Sequence, residues 1–423
     1  MSLRSFLEKA DVEVVDEEVS PDQEVAERLR KARKPVLFKR IKGYAGFSIA
    51  GNLVFSRNAL ASLLQVDVSG LAKRLASALS HPTKYKLVGD APWLEVHHKK
   101  PDLASKLPLT TFYKQYPKKY ASATIVLAKD PDSGRQNASI HRLMYLQGNR
   151  FAIRIVPRDL YTFYQKNKER GLDTEVVVVC GLHPLIYLAA ATSHPNLDEL
   201  EFANTLLKGE LECFALDGFK VPKEAEVVIK GRLLHSEEAD EGPFVDLTGT
   251  WDAVRKQPIL EVDELYYRSE PIWQVILPGG VEHRLLMGVP QEPRILTFVQ
   301  NAVPSAQNVV LTEGGCGWLH AVVSIKKMVE GDGKNAGLAA LTAHPSLKMV
   351  IVVDEDINIY DPLDVEWALA TRFQPDKGLV VICGVRGSSL DPSSNKTGIT
   401  SKWLIDATLP LDVDKERFSK VQE

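Results

Sequence analysis

ELECFALDGFKVPKEAEVVIKGRLL, residues 210–234, sets two β-type runs, ELECFAL and AEVVIKGRLL, on either side of a turn-rich DGFKVPKE. The same texture extends in both directions, with ASATIVLAKD, RFAIRIVP and EVVVVCG before it and IWQVILPG after it. Only two helical pieces interrupt these runs, RDLYTFYQKNKERG and ELEFANTLLKG. Many strands with few crossover helices predict a barrel or a strongly curved sheet, not a doubly wound one.

Outward from this centre the pattern changes. SPDQEVAERLRKARK predicts a helix with Ser20 as N-cap, Pro21 in the first turn and Gln23 at the capping-box position. PVLFKRI reads as a strand, KGYAGFSIAGN as a loop, and SRNALASLLQV and VSGLAKRLASALS as helices, together a small α/β unit. The Pro-rich LVGDAPWLEVHHKKPDLASKLPLT predicts an irregular linker across roughly residues 88–109. From about residue 308, VVLTEGG, WLHAVVSIKKMVEG, GKNAGLAALTAH, KMVIVVDEDI, LDVEWALATRF and GLVVICG alternate strand and helix. The expected organisation is a multidomain α+β and α/β chain: an α/β domain with linker over 1–108, a β-barrel domain over 109–305 and an α/β domain over 306–423. The acids Asp354, Glu355 and Asp356 end a strand, where open α/β sheets gather sites, or they serve helix capping as Asp361 and Asp364 are expected to.

A chain of 423 residues exceeds one ordinary core. With 52 Lys and Arg against 55 Asp and Glu, a net charge of −3, nothing points to nucleic acid or a membrane as partner. Cys180, Cys213, Cys316 and Cys383 form no CxxC pair, and Cys180 and Cys383 end apolar runs, as buried reduced thiols do. The opening MSLRSFLEKADVEVVDEE is too acidic for a leader, and no apolar run reaches membrane length. These features predict a cytoplasmic protein. No GxGxxG follows a strand and no Walker loop occurs, so ordinary dinucleotide and NTP sites lack their signature.

EGPFVDLTG, residues 241–249, holds two carboxylates around a Gly-Pro turn. Its ordinary reading is a solvated acidic loop. The alternative is a pair of carboxyl groups folded over one site to move protons.

NASIHR (137–142), DELEFA (198–203), DEGPFVDLTG (240–249), GVPQEP (288–293), VIVVDEDINIYDPLDVEWALATRFQP (350–375) and KWLIDAT (402–408), in this order, resemble the UbiD-like decarboxylase family. LRSFLEKA and VLFKRIKGYAGFSIAGNLVFSRNALA resemble the opening domain of that family. The resemblance implies an N-terminal α/β domain, a central split β-barrel binding prenylated FMN and a C-terminal α/β domain. It also implies reversible decarboxylation of α,β-unsaturated or aromatic acids, dimers or assemblies of dimers, and a flavin prenyltransferase as cofactor supplier.

Carried over residue by residue, the resemblance gives Asn137 to a divalent metal and Arg142 to the substrate carboxylate and the flavin, with Ser139 and Ile140 beside the cofactor. A planar guanidinium suits a carboxylate, and an amide oxygen suits a hard cation. His141 is either a substrate contact or a satisfied structural histidine. Glu199 takes the place of the metal-binding acid, with Glu201 as the neighbouring alternative. The family has a histidine where this chain reads VPRDLY, so Asp159, or else Arg158, stands there. With Asp159, the set Asn137, Asp159 and Glu199 is all oxygen and suits Mn²⁺ or Mg²⁺, with K⁺ a further candidate ion; Arg158 would instead meet the cofactor phosphate. Glu241 and Asp246 complete a network with Arg142 beside the flavin, Glu241 being the expected proton donor. Lys402 is expected near the cofactor phosphate or the substrate.

The motif wording is most similar to archaeal members that convert trans-anhydromevalonate 5-phosphate to isopentenyl phosphate. Such a substrate is a small phosphorylated enoic acid, for which His141, Lys402 and Arg158 are available cations. The alternatives are a 4-hydroxybenzoate-type acid, with or without a prenyl tail, and a non-catalytic flavin-binding protein.

Overall fold

A computed structural model describes residues 1–395, 397–418 and 420. The chain forms two compact units, one of residues 1–64 and 78–286, the other of residues 65–77 and 287–423.

At the centre of the first unit six strands close into a barrel. They are β1 (Lys119–Lys129), β2 (Gln136–Gln147), β3 (Arg150–Ile153), β4 (Thr174–Cys180), β5 (Val227–Glu241) and β6 (Arg255–Tyr267). The order is β4-β5-β6-β3-β2-β1, and β1 returns to pair with β4 (Val176 opposite Ala128, Val179 opposite Ile125), so the ring is complete. Every neighbouring pair is antiparallel. Residues two apart line the core, with Val126 and Ala128, Val176 and Val178, Val227 and Ile229, and Leu260 and Val262 in one cluster. β2 and β6 complete the ring although neither is among the strands expected from the sequence. Their polar, half-buried faces break the apolar alternation that reveals a strand.

Three helices carry polar side chains toward the barrel: α1 (Asp159–Glu169), α2 (Glu199–Leu206) and α3 (Val281–Gly288), the last running two residues past the end of this unit. The first unit also holds a four-stranded sheet, in the order Glu13–Val19, Val36–Ile41, Ser48–Gly51 and Ile272–Val275. Ser48–Gly51 corrects the expected loop; its residues are sheltered between two neighbours, Val36–Phe38 and Ile272–Val275. The helix expected from Ser20 begins instead at Glu24, with Gln23 as N-cap at φ 73° and no side-chain cap. Asp22 bridges to Thr111 and the Gln23 N–H binds the Thr111 carbonyl, so tertiary pairing overrides the capping pattern. The expected linker is packed: Val96–Lys99 pairs with β6, and Trp93, Leu103, Leu107 and Leu109 are buried.

The second unit is a five-stranded sheet of β7 (Ala306–Leu311), β8 (His320–Ile325), β9 (Met349–Asp354), β10 (Leu379–Arg386) and β11 (Ile399–Asp406), ordered β7-β8-β9-β11-β10. Its faces separate by alternation. Ala321, Val323, Val350 and Val352 pack with Ile295, Ala340 and Ala72, whereas Val322, Ile351 and Val353 pack with Val365 and Ala368. Asp354 and Asp356 grip Arg372 (3.0 and 2.6 Å) and Asp361 caps the helix Pro362–Arg372, so these acids hold a helix to the strand end. Asp364 is no cap; its carboxylate accepts the Asn358 N–H. Cys180 and Cys213 are buried as an apolar role requires, but Cys383 is exposed, because β10 is an edge strand with alternate residues in solvent. No helix among the described residues is long and apolar enough to cross a membrane.

Candidate active site

β2 carries NASIHR through the barrel wall and builds two polar centres. At its start, Asn137 is buried and donates through Nδ2 to Glu199 Oε1 (2.9 Å), while the Ala138 N–H binds Glu199 Oε2 (2.9 Å). Glu199 is the first residue of α2, behind an N-cap Asp198 that accepts from the Leu200 and Glu201 N–H groups. Burial, above all, pushes the Glu199 carboxyl up to about 8, helped by the nearby charges of Asp198 and Asp159. Asp159 opens α1 after Arg158 and accepts from Arg135 (3.0 Å).

The Ser139 hydroxyl lies 3.0 Å from Asn137 Oδ1 and 2.9 Å from His141 Nε2. It has one proton to give. His141 is buried and its pKa is pushed down to about 4, by burial first and by Arg158 and Arg154 after it, so the ring is neutral at pH 7. The Arg154 carbonyl, 2.8 Å from Nδ1, fixes the ring proton there and leaves Nε2 to accept from Ser139. Asn137 Oδ1 faces the same hydroxyl at 3.0 Å and competes with Nε2 for its one proton. Asn137 Oδ1 and the Glu199 and Asp159 carboxyl groups are all oxygen donors, the type a divalent ion takes, and Asp159 is paired with Arg135 while Glu199 binds Asn137 and the Ala138 N–H.

Five residues further along β2 is Arg142. Opposite it β1 carries an extra residue, since Ala121 pairs with Leu143 but Thr124 with His141, and such a bulge re-aims the side chains around it. Arg142 grips Glu241 through Nε (2.8 Å) and Nη2 (2.9 Å), reaches Asp252 (3.4 Å) and Asp246 (3.6 Å), and lies over the Phe244 ring (4.1 Å). Glu241 is fully buried at the end of β5. The turn after Gly242-Pro243 brings Phe244 and Asp246 back over the same guanidinium, so the two acids of EGPFVDLTG meet at one arginine.

Around this triad stand groups that the motifs did not reveal. Asp252 is shared between Arg142 and Arg255 (2.6 Å); burial raises its pKa, yet the two arginines outweigh burial and hold it below the usual carboxylate range. Tyr120 is buried, with its phenol pushed far up by burial and by Glu241, and its hydroxyl makes no hydrogen bond among the described residues. His283, on α3, accepts the Gly279 N–H at Nδ1 (3.1 Å), so Nε2 carries the proton; burial lowers its pKa while Asp246 opposes that. Only Asp252 lay within reach of sequence reasoning, as the last acid of the run EEADEGPFVDLTGTWD. Of the other expected residues, Ile140 pairs with Ile125 across the barrel wall, and Arg158 is the N-cap residue of α1. Lys402 belongs to the second unit, where β11 buries it and its ammonium donates to the Pro345 carbonyl (2.5 Å).

Comparison with known proteins decides the family. Residues 4–79, 86–281 and 284–407 match the N-terminal, Rift-related and C-terminal domains of the 3-octaprenyl-4-hydroxybenzoate carboxy-lyase, UbiD. The chain belongs to the UbiD family of carboxy-lyases. Among UbiD relatives, the anhydromevalonate phosphate decarboxylase of Methanothermobacter thermautotrophicus is 45% identical over 99% of both chains. The UbiD-class enzyme HmfF from Pelotomaculum thermopropionicum, solved with FMN, superposes with a TM-score of 0.96 at 37% identity, covering 100% of this chain and 97% of that one. An evolved dimeric form of HmfF, solved with prenylated FMN, gives 0.90 at 36% identity, covering 98% and 96%. The three-part UbiD architecture with a central barrel is thus the architecture of this decarboxylase.

Proposed function

We propose that this UbiD-family enzyme decarboxylates trans-anhydromevalonate 5-phosphate to isopentenyl phosphate and CO2, using prenylated FMN. The observation that carries the reading is the buried Arg142–Glu241 pair with Asp246 beside it, in a chain 45% identical end to end to a decarboxylase of that name. A pure flavin carrier has no use for two acids on one arginine.

Asn137, Asp159 and Glu199 would hold a Mn²⁺ or Mg²⁺ ion, with Ser139, Ile140 and Arg158 beside the flavin and K⁺ as a second candidate ion. The ion would offset the flavin phosphate and do no redox work. Prenylated FMN, when bound, supplies the dipole that carries the electron pair released with CO2. Every other task falls to side chains. Arg142 receives the substrate carboxylate on the edge that faces Asp246, while its opposite edge stays on Glu241. Three acids already crowd Arg142 and Arg255, so a fourth carboxylate, from the substrate, favours uptake of one proton. Asp252 is held ionised, which leaves Glu241 or Asp246 to carry that proton, and Glu241 is the donor. It releases the proton to the carbon that has lost CO2, and Asp246 stabilises Arg142 during the exchange.

A flavin prenyltransferase would supply the cofactor, the cytoplasm would be the compartment, and a homodimer or a larger homo-oligomer the working form. The deciding experiment uses protein produced together with a flavin prenyltransferase and incubated with the phosphorylated enoic acid. Mass spectrometry should show isopentenyl phosphate and CO2 only when the prenylated flavin is present. Cofactor-loaded protein that leaves this substrate intact would overturn the assignment.

A further inference from the structure

We infer that Tyr120 is a positioning residue for the proton donor, its hydroxyl oxygen accepting the hydrogen bond of the protonated Glu241 carboxyl until that proton is delivered. The inference rests on the reading of Glu241 as donor and deepens it by one residue.

Tyr120 stands opposite Met144 in the pairing of β1 with β2. Opposed residues of an antiparallel pair point to one side, and residues two apart on a strand share a face, so Tyr120 points to the side of Met144 and Arg142. Its ring meets Phe244 edge-on (4.8 Å between centres), and Phe244 carries the Arg142 guanidinium over its face (4.1 Å). The phenol is thereby held beside the Arg142–Glu241 pair. Burial first and Glu241 second raise its pKa, with Arg142 opposing them. Yet the hydroxyl has no hydrogen-bond partner among the described residues, and the protein's own atoms cover it, so neither flavin nor substrate has a surface of it to touch. A buried hydroxyl without a partner costs about 1–3 kcal/mol, and phenylalanine would fill the same place without that cost.

The hydroxyl gains a partner when Glu241 changes state. As a carboxylate, Glu241 has both oxygens on N–H groups of Arg142. Once protonated, it carries a proton that Arg142 cannot accept, because a guanidinium has donors only. Arg154 on β3 and Arg255 on β6 are donors likewise. Asp252 is already taken by Arg142, Arg255 and the Ala253 N–H, and Asp246 faces Nη1, the nitrogen that Glu241 does not use. The Tyr120 oxygen is left as the acceptor. Its O–H bond rotates, so it accepts from the protonated acid and donates to the carboxylate left behind. The proton itself stays on Glu241 until the substrate carbon takes it.

The test compares cofactor-loaded enzyme with Tyr120→Phe, Glu241→Gln and the double variant across pH, on whichever acid the unsubstituted enzyme decarboxylates. Tyr120→Phe should keep its flavin and its Tm and barely change KM, while kcat near pH 7 falls roughly tenfold. A protonated Glu241 without an acceptor is harder to form, so the high-pH decline of kcat should move about one unit to lower pH and the loss should close in acid. In the Glu241→Gln background the same change should cost nothing further. An unchanged kcat and pH profile would overturn the inference. So would a loss that is equal at every pH and comes with a lower Tm, or one that persists in full in the double variant, since either marks a packing role. If Glu241→Gln alone is as active as the unsubstituted protein, the reading of Glu241 as donor fails and takes this one with it.

Discussion

Glu241 has no exposed surface and both its oxygens accept from Arg142, so the proton exchange proposed for it would have to reach something that enters beside that guanidinium. Glu241→Gln keeps the shape and removes the acid; bound flavin should be retained while kcat falls by several powers of ten. Activity within twofold of the unsubstituted protein would remove Glu241 from the mechanism. At the other centre, Asp159→Ala should lower bound metal and bound flavin together, measured by elemental analysis and absorbance on one preparation. Unchanged metal content would move the third ligand elsewhere. Asn137, Arg142, Glu199, Glu241 and Asp246 were legible because each lies inside a short motif. Arg154, Tyr120 and His283 were not, since strand register and helix placement, not chain neighbourhood, bring them to the cluster. Lys402 shows the converse, a motif residue whose ammonium donates to the Pro345 carbonyl within the second unit.

Elements hold further chemistry. Glu282, in the first turn of α3, is buried, with one oxygen on the Val54 N–H (3.2 Å) and the other without a partner among the described residues. Burial pushes its carboxyl up to about 8 against the pull of the N–H groups of Val54, Leu53 and Asn52. The folded-state pKa lies above the unfolded value, so its stabilising share is complete below about 4.5 and is lost as pH climbs through about 8. Glu282→Gln is a neutral isostere. It should match the unsubstituted protein in Tm near pH 5 and exceed it near pH 9, a crossover that thermal melts across pH would reveal. Equal pH slopes in the two proteins would contradict this account. Runs such as EVVVVC announced their strands because continuous β-branched burial leaves little alternative. Ser48–Gly51 and β2 stayed hidden, the first being four residues with a glycine, the second a strand whose polar face belongs to the site.

At the scale of the molecule, each unit has its own core, and the three-part order could be read from the shift in texture along the chain. The allocation of residues 65–77 to the second unit could not, because VSGLAKRLASALS reads as an ordinary amphipathic helix whatever it packs against. Ala72, about 1% exposed, lies in the cluster of Ile295, Val323 and Leu404. Ala72→Glu should therefore weaken the second unit by several kcal/mol, since an unpaired carboxylate would be buried there. Calorimetry should show the loss in whichever transition a probe at Trp403 follows, and an unchanged melt would mean the helix contributes little to that core.

This lent helix also bears on descent. A crossover or a gene fission at the 286/287 junction would hand on a carboxyl-terminal half that lacks a piece of its own interior, and an amino-terminal half carrying a helix with nothing to cover it. Shuffled offspring would keep that interior only where residues 65–77 of one parent fit the core of the other.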